Sequence, residues 1–134
     1  MKNLIPLFVL FLLSCGNNSS NDKPITDQSS GIELVVLGIA QDAGFPQAGC
    51  QKENCRLYWD GKVERRYATS LGLIDHTSGK YWLFEATPDL KDQLYAVQKS
   101  AGTTENPSGI FLTHAHIGHY TGLMHLGHEV MGAS

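Results

Sequence analysis

Three of the six histidines fall within six residues, in Thr113-His114-Ala115-His116-Ile117-Gly118-His119, directly after the apolar run Ile110-Phe111-Leu112. Neutral imidazole is the commonest nitrogen ligand for zinc, and a loop of closely spaced imidazoles at the end of a buried strand is suited to holding a metal. Alternation along an extended backbone puts His114 and His116 on one side, where both can face one ion. His119, entering the next element, can reach a second position or support the first. Two protein ligands do not finish a catalytic zinc site, which takes three and leaves the fourth position for water. The same ligand types also accept iron or manganese.

The elements around this loop follow from periodicity. Ile32 to Ile39 is apolar and β-branched and reads as a buried strand, followed by a loop rich in small residues, Ala40 to Gly49. Ser70–Asp75 and Lys80–Glu85 flank four turn-type residues, His76 to Gly79, and predict a hairpin with His76 solvated in its turn. Thr87-Pro88-Asp89 has the composition of a helix start, with Thr87 as the capping hydroxyl. Leu90, Leu94 and Val97 repeat at helical spacing, Gly102 is the stop, and Asp89 and Asp92 are expected to be surface acids near the helix N-terminus. Beyond His119, the spacing of Leu123, Leu126 and Val130 predicts a second helix, with His125 and His128 on a solvated stripe. The histidine loop thus bridges a strand end and a helix start, where sites collect in layered α/β folds.

Cys50 and Cys55 are separated by four residues. A disulfide, half of a structural zinc site and a pair of free thiols are all compatible with that spacing. The remaining cysteine, Cys15, ends a different kind of segment. Lys2 gives a positive start, and Leu4 to Leu13 is apolar apart from Pro6. A run of about ten apolar residues suits a secretory signal and is too short to span a bilayer, which takes roughly twenty. Leu12-Leu13-Ser14-Cys15 resembles the bacterial lipobox, which implies a signal peptide over 1–14, lipidation at Cys15 and a lipid anchor to the membrane. Residues 15–31 are polar, with Asn, Ser, Asp and Gly, and read as a flexible tether for a domain over 32–134. The expected location is the bacterial cell envelope, periplasmic or surface-facing. With 134 residues and a net charge of -3, the chain has room for one domain and no basic stripe, which excludes nucleic acid as an expected partner.

Strand, Thr-His-Ala-His-Ile-Gly-His and helix together resemble the metal signature His-x-His-x-Asp-His of the metallo-β-lactamase superfamily. The likeness implies an α/β fold, a four-layer αββα sandwich, of which the chain would carry the N-terminal half. It implies that His114 and His116 hold one zinc and that His119 is a ligand of a second. The acid of the signature is replaced by Gly118, which offers neither ligand atom nor charge, so one ion rather than two is expected. Leu37-Gly38 through Cys55, including Gly44-Phe45-Pro46-Gln47, and Phe84 through Asp89 are similar to the subgroup of pyrroloquinoline-quinone biosynthesis B proteins, related to cyclic phosphodiesterases. That subgroup carries Cys-x-Cys-x-x-Cys for a structural zinc. Cys50 and Cys55 match its ends, and Lys52 stands in the middle, so the site is weakened or absent. The resemblance implies a hydrolase that uses a zinc-activated water on an ester or phosphodiester-type small molecule, inactive as a fragment. Its alternatives are a non-hydrolytic role in cofactor maturation and a non-catalytic lipoprotein binding module. β-Lactam hydrolysis is not expected. If the chain is a fragment, a sheet face is left bare and independent stability is poor.

Overall fold

The computed structural model describes residues 30–133. The signal segment 1–14, Cys15 and nearly all of the tether lie outside the described residues. Among those described, no helix is long and apolar enough to cross a membrane.

Four strands form one sheet in the order β1-β2-β3-β4: β1 Ile32–Gly38, β2 Ser70–Asp75, β3 Lys80–Phe84 and β4 Gly109–Phe111. The first three are antiparallel, and β4 lies parallel to β3. A parallel return needs a crossover, and the helix α2, Leu90–Ala101, supplies it. The β2–β3 hairpin and the Gly102 stop stand where the residue pattern puts them; Gly102 is left-handed, with φ 67°. Helix α1, Glu53–Trp59, contains Cys55, which forms a disulfide with Cys50. Of the three readings left open for these cysteines, the structure has the disulfide, and its sulfurs are not available as thiolate ligands.

The core lies on one face of the sheet only. Leu37, Ile74, Tyr81 and Leu83 pack against Leu90, Leu94 and Val97 of α2. Gly72 lets the helix come close, since a Cβ there would stand 2.6 Å from Val97 Cγ2. On the opposite face Val36, Leu71, Phe84 and Phe111 form a row through the register, and Leu34, Leu73 and Trp82 form the next. Here β1 departs from expectation. Ile32, Leu34 and Val36 are exposed, at 66%, 58% and 62%. The strand is apolar on both faces, but only one is covered.

Three further positions depart from the expectations. His76 is not merely solvated: its Nε2 pairs with Glu33 Oε2 at 2.7 Å across the β1–β2 edge. Thr87 does not cap α2 from the N-cap position, which is Asp89. Its hydroxyl donates to the buried Gln93 Oε1 at 2.7 Å and accepts from Asp89 N. Asp89 is no surface acid; Oδ2 accepts from Ala68 N at 2.9 Å and Oδ1 pairs with Arg65. A carboxylate so used ties the 65–68 segment to the start of α2.

Candidate metal centre

The parallel pair β3/β4 creates the site. Both strands run out at the same end, so the residues after them, Glu85-Ala86 and Leu112–His116, lie side by side. The C-terminal ends of neighbouring parallel strands are where α/β sheets place their ligands. Backbone hydrogen bonds fix the arrangement. Glu85 N donates to Phe111 O, Ala86 N donates to His119 O, and Gly122 N donates to Ala86 O, each at 2.8 Å. Ala86 is therefore held on both sides by the histidine segment.

After His116 the chain turns into a short helix α3, Ile117–Tyr120, and then a 3-10 segment, Thr121–Leu126. The long amphipathic helix expected from Leu123, Leu126 and Val130 is not there. Leu123 and Val130 are exposed, at 37% and 63%. The reason is a tertiary contact: Gly122 sits so close to the start of α2 that a Cβ on it would stand 2.1 Å from Thr87 O. That approach fixes the first turn, and Gly127 ends the segment before a full helical face develops. His125 is half-buried and His128 exposed, and neither joins the loop.

The structure brings His114, His116 and His119 together. His114 Nε2 lies 3.0 Å from His116 Nδ1, and Thr113 Oγ1 pairs with His114 Nδ1 at 2.9 Å. The rings of His114 and His119 have centroids 4.0 Å apart. Two nitrogens bound tetrahedrally to one zinc at about 2.05 Å stand roughly 3.3 Å apart. The His114–His116 spacing is within a few tenths of an ångström of that.

Sequence reasoning missed two residues. The first is Glu85, 4% exposed, with φ 79°. A left-handed conformation costs an L-residue about 1–2 kcal/mol, and sites that hold such residues are often functional. Its Oε1 accepts from Thr113 N at 3.0 Å and so fixes the first residue of the histidine loop. Its Oε2 lies 3.1 Å from His119 Nδ1, but not in hydrogen-bond geometry, and both atoms are buried without a partner. The second is Asp42, whose Oδ1 lies 2.6 Å from His119 Nε2. His119 is thus flanked by a carboxylate at each ring nitrogen. Glu85 carries a faint sequence signal, as an acid at the end of an apolar strand. Asp42, 77 positions before His119, carries none.

The donor set suits a divalent cation, though among the described residues no three such side chains converge on one point. They form two adjacent pairs instead, His114 with His116 and His119 with Asp42. A cleft of about 420 Å³ opens beside them, lined by Asp42, Pro88, His116, Ile117, Gly118 and Thr121 among others.

Comparison with known proteins bears on the fold. No family model matches the chain. It is 36% identical over 98 residues to coenzyme PQQ synthesis protein B of Klebsiella pneumoniae, a match that covers 69% of this chain and 32% of that protein. The corresponding protein of Methylobacterium sp. is 29% identical over 100 residues, covering 71% and 33%. Among solved structures, Zn(2+)-bound PqqB from Methylobacterium extorquens superposes with a TM-score of 0.57 at 27% identity, over 69% of this chain and 35% of that one. A diphosphatase from the PhnP family gives 0.53 at 27%, over 71% and 34%. The chain has part of a metallo-β-lactamase-type fold. It is similar to the PqqB-like subgroup, and it spans about a third of the length of the relatives it matches.

Proposed function

We propose that the histidine loop belongs to a metal-dependent hydrolase acting on an ester or phosphodiester-type small molecule, with His114 and His116 as ligands of a zinc ion. The observation that carries this reading is the 3.0 Å approach of His114 Nε2 to His116 Nδ1 at the shared end of β3 and β4. Zinc at such a site supplies Lewis acidity and a water whose pKa is lowered to about 7. The chain's own residues do the positioning. Glu85 anchors Thr113 and with it the entry to the loop. Thr113 Oγ1 engages His114 Nδ1, which turns Nε2 toward His116. Ala86 holds His119 through the backbone. The cleft beside His116 gives a small substrate access to the ligands.

The zinc in one structural neighbour and the diphosphatase activity named for the other support this reading. The 36% identity to a coenzyme PQQ synthesis protein favours a second one, a non-hydrolytic step in cofactor maturation. We also place the protein in the bacterial envelope, anchored through lipid on Cys15; the order of charge, apolar run and Ser14-Cys15 supports this. The test is metal analysis and a phosphodiester and ester screen on full-length protein and on His116→Ala. The expected result is zinc uptake with hydrolysis; the variant loses hydrolysis and the ion held by His114 and His116. Zinc uptake without hydrolysis of any such ester favours the maturation role. Failure to take up zinc, iron or manganese refutes both and leaves a binding module.

A further inference from the structure

The signature's acid is absent at Gly118, yet a carboxylate stands in the same space. A Cβ built on Gly118 would lie 3.0 Å from Asp42 Cβ and 3.1 Å from Asp42 Cγ. A side chain from position 118 and the side chain of Asp42 therefore compete for one volume. Asp42 fills it, and its Oδ1 reaches His119 Nε2 at 2.6 Å. We propose that Asp42, from the loop after β1, is the carboxylate ligand of a second divalent cation, which it shares with His119. The proposal deepens the function proposed above and rests on it.

Three observations support this. Asp42 and His116 line the same cleft, so the two ligand pairs open on one volume. His119 Nδ1 faces Glu85 Oε2, a buried oxygen with no hydrogen-bond partner. A carboxylate beside one nitrogen of a ligating imidazole leaves the other nitrogen for the metal; Glu85 Oε2 stands 3.1 Å from Nδ1, where a small turn of the ring would bring it into hydrogen-bond geometry. Here that other nitrogen is Nε2, the one toward Asp42. Finally, the Asp42 side chain is 52% exposed, so it is free to shift as a cation enters between it and His119. On this reading the expectation of a single ion, drawn from Gly118 alone, is replaced by two.

The alternative is that Asp42 only orients His119 by a hydrogen bond. Asp42→Asn separates the two roles, because the amide oxygen still accepts from the ring but is a poor ligand. Zinc content is measured by elemental analysis after dialysis, and affinity by competition with a chromophoric chelator, on full-length protein. The expected result is two equivalents for the wild type and one for Asp42→Asn, the weaker ion losing at least 100-fold in affinity. Moving the acid back, with Asp42→Gly and Gly118→Asp together, restores the second equivalent; glycine is needed at 42 because alanine would keep the Cβ that crowds position 118. Should this double variant not fold, Asp42→Asn alone remains decisive, since its exposed side chain leaves the core untouched. One equivalent in both wild type and Asp42→Asn, or two in both, overturns the proposal while the hydrolase reading stands. No zinc in the wild type overturns the hydrolase reading itself.

Discussion

Replacing Gly122 by alanine tests whether the histidine segment is held in place by contact with the start of α2. The new Cβ would stand 2.1 Å from Thr87 O, 2.7 Å from Leu90 Cβ and 2.9 Å from Ala86 O. Two of these three atoms are backbone oxygens already in use. Thr87 O accepts from Leu90 N at 3.0 Å, and Ala86 O accepts from Gly122 N at 2.8 Å. Neither can swing aside without breaking its own bond, so the 3-10 segment must move off by about 1 Å. Overpacking of this kind costs about 1–3 kcal/mol when side chains can yield. With backbone on the other side, the top of that range applies. Alanine recovers about 1 kcal/mol of helical propensity over glycine, so the net loss is about 2 kcal/mol. For a domain near 100 residues this lowers the melting temperature by roughly 10 °C. Because Ala86 N also donates to His119 O, the shift draws His119 away from Glu85 and Asp42, and zinc affinity falls with stability. The control is Gly102→Ala. Nothing lies within 4 Å of a Cβ there, and the cost is only that of a left-handed alanine, about 1 kcal/mol. Thermal melts by circular dichroism and zinc competition on both variants decide the matter. If Gly122→Ala melts no lower than Gly102→Ala and keeps its zinc affinity, the contact does not hold the loop and the reasoning fails.

Four further outcomes follow. Burial raises the Tyr81 pKa, and its hydroxyl donates to Glu105 O at 2.6 Å. The folded state therefore favours the protonated phenol; its contribution is complete below about pH 10 and is lost as pH rises through the raised value, so Tyr81→Phe should flatten the alkaline limb of a stability-against-pH curve. Reducing the Cys50–Cys55 disulfide, which closes a ring with a sequence separation of 5, should cost about 2 kcal/mol in a denaturant melt and leave zinc affinity at the histidine loop unchanged. Asp89→Ala leaves Ala68 N without its acceptor and should cost about 1–3 kcal/mol, with no change in chelator-measured zinc affinity. If Cys15 carries the proposed lipid anchor, Cys15→Ser should move the protein from the membrane to the soluble fraction on cell fractionation.

The strands, the α2 crossover and the three histidines were legible because each leaves a local mark. Two apolar runs around the four turn-type residues His76 to Gly79 mark β2 and β3, the 3.6-residue spacing of Leu90, Leu94 and Val97 marks α2, and the imidazoles are clustered in the chain itself. The segment after His119 was misread because Leu123, Leu126 and Val130 fit a helical face, whereas the geometry there is set by how closely Gly122 meets Thr87 O. Periodicity carries no information about a contact with residues some thirty-five positions earlier in the chain. Asp89 was misread for a similar reason. An acid in a first helical turn is ordinarily explained by the helix dipole, and its use by Ala68 N and Arg65 appears only once 65–68 is folded against α2.

The bare sheet face and the site lead to the same physical point. Ile32, Leu34, Val36 and Phe111 present apolar surface that nothing in the described residues covers. β4, which carries that face at Phe111, also leads into the histidine loop. Leu83→Ala, on the covered face, should cost about 2–5 kcal/mol. Val36→Thr, on the bare face, should cost well under 1 kcal/mol as long as no layer covers it. The difference between the two, measured in denaturant melts, reports whether that face is packed in the protein under test. It bears on the site as well, because an ion responds only to where donor atoms stand. A cover over the β4 face would restrain Phe111 and Leu112 and so hold His114 against His116; Asp42 is placed from the other side of the site, by the turn after β1. The proposed metal centre thus draws on two segments far apart in the chain. Loosening either one should weaken zinc binding even though no ligand has been changed.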